Sequence, residues 1–250
     1  MQVADDIYLG AFFPANGLLP ATTASADPTV NQGVGPAGRI VFHNIVPLTL
    51  QINNVALSQH MVAATGLVLT AGTGNTLGTA PDGSQRAVVV LDVNRAPSLS
   101  STSDLHLINF TVTGFDFYGH IQTATRAGPN NNTVNFTKAF ASVLSIIPDT
   151  TDGTHNVSAG TSDVFGMTFT TTDAGYIMPK WANALAQDAG TFVAADATSP
   201  ATNLTGDPRG TYTPSSASNG TNRLVIWQHL TANQCGPNAT VVGALGVTPA

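Results

Sequence analysis

From Leu105 to Phe115 apolar and polar residues largely alternate: Leu105, Leu107, Asn109, Thr111, Thr113 and Phe115 fall on one face, and His106, Ile108, Phe110 and Val112 mainly on the other. A period of two is the mark of a strand with one buried face, because successive side chains of extended backbone point to opposite sides. Phe115-Asp-Phe-Tyr-Gly119-His then turns the chain, with Gly119 able to take a positive φ, and Ile121 to Arg126 returns as a partner strand. The hairpin sits inside a longer stretch, Asp92 to Phe169, of strands joined by Gly-, Asn- and Asp-bearing turns. The rest of the chain is arranged around it.

Composition supports the same class. All 14 acids are Asp, none is Glu, and Lys138 and Lys180 are the only lysines. Glu and Lys are good formers of exposed helix, whereas the plentiful Thr and Val suit strands and Asn, Asp, Gly and Pro suit turns. Charged residues make up 9% and apolar ones 42%, so wholesale disorder is not expected. At 250 residues the chain can bury a sizeable core. The expected fold is all-β, a β-sandwich or jelly-roll-like core with an extended N-terminal arm and long loops.

The stretch Asp92–Phe169 also carries a resemblance. Its order is an Arg after a short strand (Arg95), FTVTGFDFYG from Phe110, a strand to Ala127-Gly-Pro, KAFASVLSI from Lys138 and VSAGTSDVFG from Val157. This pattern of strands and turns resembles a β-rich module of tailed-bacteriophage virion proteins, above all capsid decoration (cement) proteins. It extends loosely into the C-terminal third. The resemblance implies a structural protein of the virion, made in the host cytoplasm, whose partners are the major capsid protein and copies of itself as a dimer or trimer. A head-fibre base, a tail component, a jelly-roll capsid protein and a carbohydrate-binding or adhesin module share the same strand grammar and stay open as alternatives.

Residues 1–38 read as an extended arm and 39–250 as the β domain, with a possible subdivision near residue 170. Pro14, Pro20, Pro28 and Pro36 are too closely spaced for helix, yet Tyr8, Leu9, Phe12, Phe13, Leu18 and Leu19 are too apolar for a solvated tail. They are the candidate contacts to a neighbouring subunit or to the shell; the other reading is that they cover their own core. The acidic start, with its short apolar run, is expected to be neither a signal peptide nor a membrane span. Strands are expected over 39–46, 48–55, within 61–69, over 87–93, 191–197 and 223–230, with a loop at 71–83 and a short helix over 180–189 between Pro179 and Gly190.

Chemistry is sparse. A net charge of −6 with eight cations gives no footprint for nucleic acid or an anionic membrane, so neither is an expected partner. Cys235 stands alone, which excludes an internal disulfide framework. The six histidines show no ligand spacing, and Asp149 and Asp152 lack the alternating ligands of a calcium loop, so no metal and no cofactor is expected. No nucleophile elbow, phosphate loop or dinucleotide fingerprint occurs, and no enzyme is expected. Asp104 and His106 read as a local polar pair on one strand face. Seven N-x-S/T triplets, starting at Asn109, Asn131, Asn135, Asn156, Asn203, Asn219 and Asn238, are what an Asn- and Thr-rich chain contains by chance. Phe115, Phe117 and Tyr118 are expected to pack in the core, and Trp181 and Trp227 to serve as core or interface anchors.

Overall fold

The computed structural model describes residues 4–7, 39–196 and 206–230, with backbone only for 4–7, 39–40 and 229–230. Among these residues the fold is all-β, as the alternation predicts. The strands in chain order are β1 (Ala4–Ile7), β2 (Arg39–Ile45), β3 (Ala56–His60), β4 (Thr76–Thr79), β5 (Ala87–Ser100), β6 (Asn109–Phe115) and β7 (Ile121–Ala127). They continue with β8 (Thr133–Asn135), β9 (Phe140–Pro148), β10 (Asn156–Gly166), β11 (Ile177–Trp181), β12 (Thr191–Val193), β13 (Thr211–Thr213) and β14 (Leu224–Leu230). Among the described residues one 3₁₀ turn occurs, Ala174–Tyr176, capped by the Asp173 carboxylate, which accepts from the Gly175 N–H. No helix among the described residues is long and apolar enough to cross a membrane.

Two antiparallel sheets form. The large one runs β12-β13-β10-β5-β9-β6-β7 and curls into a half-barrel, with β3 added on β10 and β4 and β8 on β5. The small one runs β1-β2-β14-β11. β5 is the organiser, 14 residues long, pairing through its first half with β4 and β9 and through its second with β8 and β10. Its near-continuous apolar start is buried on both faces, Val89 and Leu91 in the main core and Val88, with Val90 packed against it, in a smaller cluster with Ala80 and Phe115.

Inside the curl, Phe110 and Val112 of β6, Val143 and Ile146 of β9, Val89 and Leu91 of β5 and Val157 of β10 form the main core. A second cluster, Phe165, Met167, Ile177, Trp181, Tyr212, Leu224 and Ile226, packs the small sheet against the β10–β13 end of the large one. That contact makes the architecture sandwich-like. Burying residues of this size stabilises by about 1.5–3 kcal/mol each, so the join between the sheets is held mainly by apolar area.

Four local expectations are corrected. β6 begins at Asn109 rather than Leu105, because residues 105–108 close a turn in which the Ile108 N–H donates to Leu105 O at 2.9 Å. The stretch 48–55 belongs to no sheet ladder and bends over 52–55; side chains and single backbone bonds hold it instead. Residues 61–69 form a loop lying along β9, with the Ala64 and Leu67 N–H groups donating to Pro148 O and Ile146 O. Residues 71–83, expected to be loop throughout, contain β4.

The helix expected over 180–189 is also absent. Trp181 is drawn into the second cluster as the last residue of β11, and Ala182 and Asn183 then take φ of 55° and 61°, which ends any right-handed turn. Gly119 has φ 83° in the β6–β7 turn, as expected, and there the Asp116 N–H donates to His120 O at 2.9 Å.

Candidate interaction surface

Of the arm, β1 pairs antiparallel with β2 of the same chain, Ile7 opposite Ile40. Tyr8, Leu9, Phe12, Phe13, Leu18 and Leu19 lie outside the described residues.

The most unusual described surface is the strap 46–52, the extended stretch that joins no ladder. Val46, Leu48, Leu50 and Ile52 alternate along it and are 39%, 39%, 37% and 50% exposed. Their spacing puts all four on its solvent side. The strap is firmly tied down. The Leu48 N–H donates to Asp92 Oδ2 at 2.8 Å, while Leu48 O accepts from Arg95 Nη2 at 3.1 Å and from Ser218 Oγ at 2.8 Å. Arg95 is itself 1% exposed; its Nε donates to Asp92 Oδ1 at 2.8 Å, and Asp163 Oδ1 stands 3.8 Å from Nη1.

Further along, Gln51 O accepts from the Thr161 N–H at 2.9 Å and passes so close to Gly160 that a Cβ there would sit 1.8 Å from it. A glycine in β10 thus makes room for the strap, and a buried guanidinium fastens it.

A second apolar patch lies on the outer face of the small sheet. Register places Met178, Trp227 and Phe42 in one row across β11, β14 and β2. Trp227 is 38% exposed and Met178 46%, the Phe42 ring meets Trp227 edge-on at 4.8 Å, and Lys180 Nζ lies 5.9 Å from the Trp227 ring centre. Trp181, the last residue of β11 and three positions on from Met178, takes the opposite side: it is 3% exposed and its Nε1–H donates to Ser216 Oγ at 2.8 Å. The two tryptophans therefore divide the expected roles, one core and one surface. Of the hairpin aromatics, Phe115 is buried in a small cluster with Ala80 and Val88, whereas Tyr118 is 36% exposed at the rim.

The polar pairs are local. Asp104 Oδ1 lies 2.6 Å from His106 Nδ1, both on the surface; Asp104 makes an isolated bridge to Asn130 and His106 sits in the turn that follows, so the two do not share a strand face. Asp152 Oδ2 lies 2.5 Å from His155 Nδ1; the same carboxylate accepts from the Thr154 and His155 N–H groups, and these bonds hold it down to about 2. Asp149 caps Asn109 through both carboxylate oxygens. Among the described residues no three His, Cys, Asp or Glu side chains are placed to hold a metal ion. Beside His155 runs a groove of about 430 Å³ whose walls are hydroxyls, Ser100, Ser101, Thr102, Ser103 and Thr154 among them, without a Phe, Tyr or Trp face on which a sugar ring would stack.

Sequence reasoning missed the buried ion cluster where the two ends of the curled sheet approach each other. Arg126 of β7 and Thr211 and Thr213 of β13 line one cavity there. Across this seam Arg209 Nη1 donates to Asp116 Oδ2 at 2.9 Å, and the guanidinium lies 5.6 Å from the Tyr118 ring centre. Gln122 Nε2 donates to Ala139 O at 2.6 Å, and the Ala139 N–H to Asp207 Oδ2 at 2.9 Å. Lys138 is fully buried beside them: burial pulls its ammonium down to about 8, against the opposing pull of the Asp207 and Asp196 carboxylates. Burial likewise raises Asp207, with Arg209 opposing. The one available signal was scarcity: of eight cationic side chains, Arg95, Lys138 and Arg209 are buried.

No protein-family model matches the chain, and neither a curated protein nor a solved structure matches it. The fold and surface define a class, an all-β protein with rigid apolar surface strips and few charges.

Proposed function

We propose that this chain is a virion structural protein of a tailed phage, of the capsid decoration or cement type, placed on the capsid surface. It works by adhesion rather than catalysis. The observation that carries the reading is the strap 46–52, whose aliphatic side chains face solvent while its backbone is pinned by Arg95 and Asp92. A rigid apolar strip loses little conformational freedom when a partner covers it, so most of the area it buries contributes to affinity. The low charge density supports the same reading, since the buried centres of permanent interfaces are depleted of charge. The sequence resemblance of the stretch Asp92–Phe169 supplies the kind of partner, the major capsid protein and further copies of this chain.

Mixing the purified protein with capsid shells lacking it tests the reading. The wild type should co-sediment with shells and raise their resistance to heat, and a Leu48→Lys/Leu50→Lys variant that keeps its fold should do neither. A folded wild type that fails to bind shells overturns the proposal.

A further inference from the structure

We infer that Asn219 is a self-modifying site: the Gly220 nitrogen attacks its carboxamide, ammonia leaves, and the residue ends as an aspartyl or isoaspartyl link. The inference is independent of the adhesive role proposed above, because it rests on the turn 218–223 alone.

The reaction needs an unhindered backbone nitrogen beside an Asn side chain, a polarised carboxamide, a free leaving amine and water. Glycine follows Asn twice in the chain, at 16–17 and at 219–220, and the first pair lies outside the described residues. Asn219 is on the surface, and Gly220 has no side chain to shield the attacking nitrogen. Nucleophile and carbonyl belong to adjoining residues, so the covalent chain itself keeps them within reach.

The turn also polarises the carboxamide. Asn219 Oδ1 accepts from the Thr221 N–H at 2.9 Å, from the Thr221 hydroxyl at 2.9 Å and from the Asn222 N–H at 2.7 Å. Asn219 Nδ2 hydrogen-bonds to no described residue, which leaves the departing amine untied. Both ends of the turn are clamped. The Ser218 N–H and hydroxyl donate to Asp163 at 3.0 Å and 2.6 Å, and Leu224 enters β14 opposite Ile45. The three donors are therefore held in place before the reaction starts.

In the step itself, hydroxide takes the Gly220 N–H proton and the nitrogen adds to Asn219 Cγ, forming the new C–N bond. Negative charge developing on Oδ1 falls on the three donors that already point at it. Nδ2 gains a proton from water and leaves as ammonia, closing a succinimide ring. A second water opens the ring at either carbonyl, giving the aspartyl or the isoaspartyl chain. The net change is one water in and one ammonia out, with no oxidant or reductant.

The product acts on the strap. The Gly220 N–H donates to Pro47 O at 3.2 Å and Ser218 Oγ to Leu48 O at 2.8 Å, so the two residues flanking Asn219 hold the strap's start. An isoaspartyl link adds one backbone methylene between those anchors and a carboxylate beside them. Modification therefore loosens the strap at Pro47.

Incubating the folded full-length protein at mildly alkaline pH and digesting it with trypsin tests the inference, because peptide 210–223 contains Asn219 and excludes the pair at 16–17. Asn219 should exchange NH for O at least as fast as in a synthetic peptide of the same sequence, with electron-transfer fragmentation identifying the isoaspartyl product. A slower reaction in the folded protein, or a mass gain at Asn222 instead, overturns the proposal. Both readouts use the wild type, so neither depends on a variant folding. Thr221→Val removes one donor and should slow the folded protein by up to about tenfold, the worth of one hydrogen bond, while leaving the synthetic peptide unchanged; equal rates in folded wild type and variant would remove the hydroxyl from the reaction. The isoaspartyl fraction should show faster hydrogen exchange at the Gly220 N–H, and unchanged protection there would overturn the loosening of the strap.

Discussion

Arg209 and Asp116 lie 93 residues apart in the chain and meet in a 2.9 Å ion pair whose side chains are 0% and 1% exposed. The pair fastens the loop before β13 to the turn between β6 and β7, across the seam of the curled sheet. Asp116 serves both sides, because its other oxygen accepts from the Tyr118 and His120 N–H groups of its own turn. Replacing it with Ala strands a buried guanidinium and uncaps the hairpin together. Asp116→Ala should cost about 3–5 kcal/mol in urea unfolding. A paired Asp116→Leu/Arg209→Met change should recover part of that loss, since no buried charge is then left alone.

His43 gives the fold a sensitivity to acid. It sits on the inner face of β2, 2% exposed, with neither ring nitrogen hydrogen-bonded to a described residue, and burial lowers it from 6.5 to about 4. The folded state therefore binds this proton less readily than the unfolded chain. The contribution is fully present above about pH 6.5 and is lost as pH falls from there toward 4, reaching about 3 kcal/mol. Chemical denaturation at pH 7 and pH 4.5 should show a smaller drop for His43→Leu than for the wild type.

Two glycines should resist substitution for different reasons. Gly119→Val forces a β-branched residue to φ 83° and pushes its Cβ to 3.3 Å from Pro81, so a loss of about 1–3 kcal/mol is expected in thermal or chemical denaturation. Gly160 has no strained φ, but a Cβ there collides with Gln51 O. Gly160→Ala should therefore lift the strap, and its signature should be faster hydrogen exchange at the Thr161 N–H, which is bonded to that oxygen.

The two tryptophans should separate stability from surface function. Trp181→Ala empties a buried site and should cost about 3–5 kcal/mol. Trp227→Ala, on the exposed row with Met178 and Phe42, should leave the unfolding midpoint much closer to that of the wild type. Parallel denaturation curves followed by tyrosine and tryptophan fluorescence give the comparison.

The strands that carry the core were legible because their information is local. Phe110 and Val112 alternate with Thr111 and Thr113, and the first pair is buried; the run Val88 to Leu91 is apolar because both faces of β5 are covered there, Val89 and Leu91 by the main core and Val88 and Val90 by the cluster of Ala80 and Phe115. The turn at Gly119 was legible for the same reason, since one residue's φ decides it. The stretch 48–55 misled because its apolar spacing was real but its partner was not a ladder, and 180–189 misled because Lys180 and Trp181 pair with β14 and the left-handed φ of Ala182 and Asn183 then ends any helical turn. Burial of one side says that a segment lies on something, not what it lies on.

Amino-acid order by itself determined that this protein is all-β, where its core strands run and where its tightest hairpin turns, because side-chain parity and backbone dihedrals are set within a few residues. Tertiary structure alone decided which tryptophan faces water, since that depends on how β11 registers on β14. It also decided that Arg95 would hold the strap 46–52, and that Lys138, Asp207, Arg209 and Asp116 would share one buried seam. Those partners are separated by up to 93 residues, and only the curl of the large sheet brings them together.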